Sequence, residues 1–312
     1  MIFPAAVSRG LARGLAGLLL LASGVQAAHA DGETSVWSVK GARNTVYLAG
    51  SVHALPKNDA AFPEQLERAY KAAKVIVLEV DLDDMNPLDA IRFITSNGTL
   101  PANQSLEDVV GAEPYARVTR LAASLEVPEF VISKLEPWSA ALILTQYALT
   151  KTGFDPQLGI DMQITERARA DGKPIEGLET VIDQLSVFDS RSFAEQTRFL
   201  LDSAEDVPQL NEDLQKLIAA WRTGDLRALE KAYLEESAKS PQLYEALLGV
   251  RNRKWLPRIE ALLKEERDYL VVVGALHYVG RDGLLALLQK DGHKAVPLPA
   301  ASITPSPPSA ER

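Results

Sequence analysis

The chain contains no cysteine. That excludes a disulfide scaffold and any thiolate metal site, leaving only nitrogen and oxygen donors for a metal. Basic residues are outnumbered, 33 against 42 acidic, giving a formal charge of −9 over 312 residues. This balance weighs against nucleic acid as a partner, because backbone phosphates reward Lys and Arg. Long apolar runs are missing after residue 30. The richest stretch, Ala140 to Leu149, holds Thr145 and Gln146 and falls short of the ~20 residues that span a bilayer. No segment repeats at a solenoid period. Histidine is scarce, with four in the whole chain, so each can be weighed. Apolar residues are plentiful at 46%, which excludes a disordered chain and supplies a large core.

Residues 1–30 have the layout of a secretory signal peptide. They hold no acid, Arg9 and Arg13 precede the apolar stretch Leu15–Ala22, and Ala28-His29-Ala30 offers a small-x-small cleavage site before Asp31. The alternative is an uncleaved anchor, for which the run is short. No Cys follows, so a lipoprotein anchor is excluded. Loss of Arg9 and Arg13 would take the charge from −9 to −11. The expectation is an exported protein, periplasmic in a Gram-negative source and secreted otherwise, with no membrane span after cleavage. At the other end, residues 297–312 carry Pro297, Pro299, Pro305, Pro307 and Pro308 among Ser and Ala, the composition of a disordered tail. Residues 31–296 are left as one domain.

Within it, Thr45–Ala49, Val75–Leu78 and Tyr269–Val273 are short apolar runs that read as buried strands. Lys173–Glu176 is a candidate fourth. Between the first two strands, Pro63–Lys74 places Leu66, Ala69, Tyr70 and Ala73 on one side of a helix. Strand–helix–strand at that separation predicts parallel pairing through a right-handed crossover. Most of the remainder has helical spacing: Pro87–Ser96, Pro114–Leu125, Pro137–Thr150, Asp161–Ala170, Phe193–Asp202, Asn211–Trp221, Asp225–Glu235, the long run Pro241–Glu266, and Asp282–Lys290. The expected fold class is α/β: a small parallel β core formed by both ends of the chain, with a large helical insertion over about 86–265.

One pattern recurs. Gly50-Ser51-Val52-His53 follows the first strand and Gly274-Ala275-Leu276-His277 follows the last. Two of the three histidines beyond residue 30 occupy these matched G-x-x-H positions; His293 reads as a surface residue. Ligands of parallel sheets bind beyond the carboxyl ends of the strands, so both rings would enter one crevice if the two strands are neighbours. Glu79 ends the second strand at the same level, and Glu176 and Glu179 end the candidate fourth. Two imidazoles and a carboxylate form a ligand set for zinc, manganese, cobalt or iron at a hydrolytic site, with a second carboxylate as general base. The same set without metal is an acid–base esterase site. Each residue also has a structural role open to it. A strand-end His can be a hydrogen-bonded structural group, Glu179 can start the next helix, and Asp161 can be an N-cap. Arg251-Asn252-Arg253-Lys254-Trp255 read on its own is the solvated face of a long helix; placed in the site, Arg251 would bind a carboxylate or an oxyanion.

The order of these motifs resembles the TraB/GumN family, which is related to the Tiki proteins. The resemblance is carried by Tyr47–His53, Ala73–Glu79, Gly159-Ile160-Asp161, Gly177-Leu178-Glu179-Thr180, Arg251-Asn252 with Trp255, and Val273–Gly280, and it runs over about 36–295. It implies a parallel α/β core shared with erythromycin-esterase-like and ChaN-like proteins. It also implies a site built from the paired G-x-x-H motifs, the strand-end Glu and the Arg–Asn pair, and a metal-dependent protease activity with manganese or cobalt as the usual ion.

The expectation is therefore an exported metal-dependent hydrolase, most simply a peptidase acting on a peptide or protein. His53, His277 and Glu79 would hold a divalent Mn, Co or Zn ion, with Glu79 alternatively the general base. Glu176 or Glu179 would shape the site, and Arg251 and Asn252 would hold a substrate carboxylate or oxyanion. Two alternatives stand beside it: a non-catalytic binder of an extracellular peptide or haem, and a metal-independent His/Glu esterase. The oligomeric state has no sequence signal.

Overall fold

The most apolar runs of the chain lie side by side at the centre of one sheet. The computed structural model describes residues 34–299 apart from 60, 82, 83 and 85. The leader-like segment and residues 300–312 of the expected tail lie outside the described residues. The six strands are β1 (Val36–Lys40), β2 (Thr45–Ser51), β3 (Val75–Val80), β4 (Ile175–Glu179), β5 (Tyr269–Gly274) and β6 (Ala295–Pro297). Their order is β4-β3-β5-β2-β1-β6. β4, β3, β5 and β2 are mutually parallel, whereas β1 and β6 add antiparallel at one edge. The sheet is therefore mixed rather than purely parallel. Pro297 pairs with Trp37 and Leu298 donates its N–H to Val36 O at 2.8 Å, so the first residues beyond 296 are held against β1.

Continuous apolar strands require cover on both faces, and alternate residues supply it. Ile76, Leu78, Leu270 and Val272 face one layer, with Leu66 and Tyr70 of the helix Glu64–Ala72, Ile160 and Ile164 of the helix Ile160–Asp171, and Trp221. Val75, Val77, Val271 and Val273 face the other, with Trp255, Ile259 and Leu262 of the helix Arg251–Leu262 and Leu284 and Leu288 of the helix Leu284–Lys290. A separate apolar cluster around Leu106, Val118, Ile132, Leu144 and Leu200 fills the helical region.

Two expectations change. The crossover from β2 to β3 is parallel, but the two strands do not pair; β5 lies between them and bonds to both. Within the insertion, the candidate strand at 173–176 forms as β4 and pairs at the edge of the sheet. The single helix expected over 241–266 is also broken, into Pro241–Tyr244, a π-helical turn Glu245–Val250, and Arg251–Leu262. Among the described residues, no helix is long and apolar enough to cross a membrane.

Candidate active site

Parallel alignment brings the carboxyl ends of β2, β3, β4 and β5 to one rim. Pairing sets Ser51 of β2 beside Gly274 of β5, and Val80 of β3 beside Glu179 of β4. The two G-x-x-H segments leave neighbouring strands, as their shared site requires. Gly274 marks where they meet. A Cβ there would stand 3.3 Å from His53 Nε2, 3.4 Å from Glu79 Oε1 and 3.6 Å from His277 Cδ2. Glycine leaves that point open.

His53 is held by Asp161. Its Nδ1 lies 2.8 Å from Asp161 Oδ2, while Ser51 Oγ donates to Asp161 Oδ1 at 2.9 Å. Asp161 is in the first turn of its helix, two residues past the N-cap Gly159. The loop after β2 is tied to this helix start. Leu55–Pro56 pairs with Phe154–Asp155, and Ile160 N–H donates to Val52 O at 3.0 Å. Gly159 is required by the approach, since a Cβ there would meet His53 O at 2.4 Å. The charge of Asp161 and its hydrogen bond outweigh desolvation and raise the His53 pKa to about 9. The ring is two-thirds exposed.

His277 is the opposite case. It is buried against Trp255, with ring centroids 4.6 Å apart and the planes tilted by 40°, and burial lowers its pKa to about 3. Asn252 sets its tautomer. Asn252 Nδ2 donates to the carbonyls of His277 (3.1 Å) and Asp282 (2.8 Å), so its Oδ1, 2.6 Å from His277 Nδ1, accepts that ring N–H. The Nε2 lone pair is then free to accept, and Arg251 Nη1 donates to it at 3.2 Å.

Arg251 commits all five of its N–H groups. Nε donates to Glu179 Oε1 (3.0 Å), Nη1 to Leu247 O (2.9 Å) and His277 Nε2, and Nη2 to Glu79 Oε2 (2.5 Å) and Glu179 Oε1 (2.6 Å). Glu179 Oε2 accepts from Trp255 Nε1 at 3.1 Å. Glu79 accepts further from Gly274 N (2.7 Å) and from Gln184 Nε2 (3.1 Å). Burial opposes ionisation of Glu79, but electrostatic attraction to His277, then His53 and Arg251, and the Gly274 N–H together hold its pKa down to about 2.

The site is thus layered. An outer cleft of about 130 Å³ is lined by His53, Leu78, Glu79, Val80, Asp161, Val181 and Gln184. Behind Glu79 lie His277, Arg251, Asn252 and Glu179, which hold it and one another. Arg251 and Asn252 are buried in this inner layer and do not line the cleft. Glu176 is not brought to either layer; its side chain pairs with Arg258 at 2.5 Å. Sequence reasoning missed Gln184, carried on the helix Val181–Asp189, and gave Asp161 the duller role. The Thr180/Asp183 capping box that starts the helix was legible as Thr-x-x-Asp before an apolar run.

A metal is implied by the resemblance, and the donor set can be tested against it. His53 Nε2, Glu79 and His277 converge near Gly274, but His277 Nε2 already accepts a guanidinium N–H and lies 3.8 Å from Glu79 Oε1. Both Glu79 oxygens also accept N–H groups. A divalent cation would stand against the positive charge of Arg251. The residues as arranged do not fit a metal, and the described residues contain no group of three or more His, Asp or Glu able to hold one.

A mixed sheet with a parallel centre covered on both faces, and polar residues gathered at the carboxyl ends of its parallel strands, defines an α/β protein with a strand-end site. More narrowly, the chain belongs to the TraB/PrgY/gumN family, which matches residues 35–297. It is 25% identical to the uncharacterized protein YbaP of Escherichia coli, over 78% of this chain and 87% of that one. It is 23% identical to a metalloprotease TIKI homolog of the sponge Amphimedon queenslandica, over 88% of this chain and 63% of the relative. To human metalloprotease TIKI1 it is 21% identical, over 81% and 60%. No solved structure matches the chain.

Proposed function

We propose that the protein is an exported hydrolase of peptide bonds that uses Glu79 and His53 as an acid–base pair. The observation that carries this reading is their convergence. Glu79 Oε1 and His53 Nε2 stand within 3.4 Å of one point above Gly274, and their environments push their pKa values apart, to about 2 and about 9. Groups separated in this way divide into base and acid. At neutral pH Glu79 is a carboxylate that accepts a proton from an attacking water. His53 is an imidazolium whose Nε2–H serves the leaving amine, with Asp161 fixing the ring and stabilising its charge. A carboxylate held near 2 is a weak base, so its share belongs at the low end of the ~10²–10⁴-fold range of such groups. Gln184, Arg251 and Gly274 N–H orient Glu79. The leader-like pattern of residues 1–30 supports export.

A metal-assisted form of the same hydrolysis is the second reading. The relatives named metalloproteases favour it. It requires Arg251 to release His277 Nε2.

The test uses purified full-length protein, a combinatorial peptide mixture and mass spectrometry, with and without EDTA, alongside metal analysis. Cleavage that survives EDTA and is lost in His53→Ala supports the acid–base pair. Cleavage lost with EDTA and restored by Mn, Co or Zn supports the metal reading. Intact peptides under every condition sink both, and leave binding without turnover.

A further inference from the structure

A second cavity lies one helical turn from the cleft. The helix Val181–Asp189 presents Val181 and Gln184 to the site, and Phe188 to a cavity of about 240 Å³. Gln184 and Phe188 are four residues apart and share a helix face, about 6 Å apart along the axis at ~1.5 Å per residue. Trp138, Phe188 and Phe199 form the aromatic wall. Trp138 and Phe188 stack with centroids 6.4 Å apart, and Phe188 and Phe199 at 5.3 Å. Leu243 closes another side, and Arg191, Glu195, Arg198 and Lys239 supply charged side chains to the rest of the lining.

The size decides what fits. Drug-sized ligands need about 300–1,000 Å³, whereas a cavity of roughly 150 Å³ already takes a benzene ring. This one suits a single large side chain. Gln196 and Arg191 line the cavity, while Gln196 Oε1 and Arg191 Nε are buried behind its surface without a hydrogen-bond partner. The amide of Gln196 has a defined orientation, because its Nε2 donates to Glu136 Oε2 at 3.2 Å and Arg191 O at 3.0 Å.

We propose that this cavity is a specificity pocket for an aromatic side chain of the peptide substrate. This rests on the reading of the outer cleft as the hydrolytic site. Extended peptide advances about 3.3 Å per residue, so the pocket would select the residue on the order of two positions from the bond cut.

The experiment separates the pocket from the chemistry. Binding of N-acetyl-4-fluorophenylalaninamide to the full chain is followed by ¹⁹F NMR, with N-acetylalaninamide as the control compound. Ala238 lies exposed on the cavity wall, so Ala238→Trp fills the cavity without removing a core side chain; Phe188→Ala is the second variant. Expected are binding by the wild type and by His53→Ala, and loss of binding in Ala238→Trp. A cleaved peptide with Phe in the selected position should be cut roughly tenfold or more faster than its Ala analogue, and Ala238→Trp should abolish that preference. No binding, binding unchanged in Ala238→Trp, or equal cleavage of the Phe and Ala peptides overturns the pocket. Binding that Ala238→Trp abolishes, with no peptide cut, upholds the pocket and overturns the hydrolytic reading instead.

Discussion

Replacing Arg251 with Met removes the one cation shared by two buried carboxylates. The Glu79 and Glu179 side chains are 9% and 1% exposed, and both are bonded to Arg251 Nη2. Truncating one partner of a buried ion pair costs about 3–5 kcal/mol, because the remaining charge is left unpaired. Two charges are stranded here, so the upper end applies, about 5 kcal/mol at neutral pH. At roughly 2–4 °C per kcal/mol for a domain of this order, that lowers the unfolding midpoint by about 10–20 °C. The loss should shrink in acid. In the wild type, Glu79 has its pKa depressed to about 2, so its stabilisation is present above the ordinary value of 4.5 and is lost as pH falls through 2. Without Arg251 the carboxylate escapes its burial by taking a proton, and the two proteins converge. Arg251→Lys is the control. It keeps the charge but has three donors for five positions, and one acceptor left unmade costs about 1–3 kcal/mol. Urea unfolding followed by tryptophan fluorescence, at neutral pH and near pH 4, measures all three. A loss under about 1 kcal/mol for Arg251→Met, or a loss independent of pH, would refute the reasoning, because it would mean the carboxylates are not stranded.

Asp161→Asn removes the main cause of the raised His53 pKa, so the alkaline limb of the pH–rate profile should move from about 9 toward the ordinary 6.5. Stability should peak near pH 6.5. His277, depressed to about 3, contributes stability that is lost as pH falls below 6.5, while His53, raised to about 9, contributes stability that is lost as pH rises through 9. Thermal melts across pH check this, and His53→Ala should flatten the alkaline side alone. Gly274→Ala places a methyl 3.3 Å from His53 Nε2 and 3.4 Å from Glu79 Oε1 at φ −50°. It should keep its melting temperature and lose most peptide cleavage. Gly159→Ala meets a backbone oxygen at 2.4 Å, so it should lose about 1–3 kcal/mol in urea unfolding and displace His53 as well.

Much of the site was legible in sequence because it repeats. His53 and His277 follow strands at the same offset, and Glu79 interrupts an apolar run, where an acidic group needs a partner or a task. The roles were less legible. Arg251 sits in a charged run that imitates a solvated helix face; the family resemblance singled it out, and its burial between two carboxylates shows what it does there. Asp161 occupies a helix start, where an acid is ordinary. Gln184 has no motif at all. Glu176 and Glu179 looked equivalent three residues apart; the fold turns Glu179 onto Arg251 and leaves Glu176 with Arg258.

The sequence by itself did not determine the edge strands β1 and β6. It did determine the four parallel strands, most of the covering helices and the strand-end level at which the polar residues collect. These follow from local apolar periodicity, which records which side of an element must be buried. Only the tertiary structure decided the neighbours. It set β5 between β2 and β3, brought Asp161 to His53 across 108 positions and Arg251 to Glu79 across 172, and gave the two matched histidines opposite protonation states. Periodicity carries no information about which partner lies across a layer, and a pKa depends on that partner and on burial. The likeness of the two G-x-x-H motifs therefore ends at the backbone: one ring is exposed beside a carboxylate, and the other is buried beside a guanidinium.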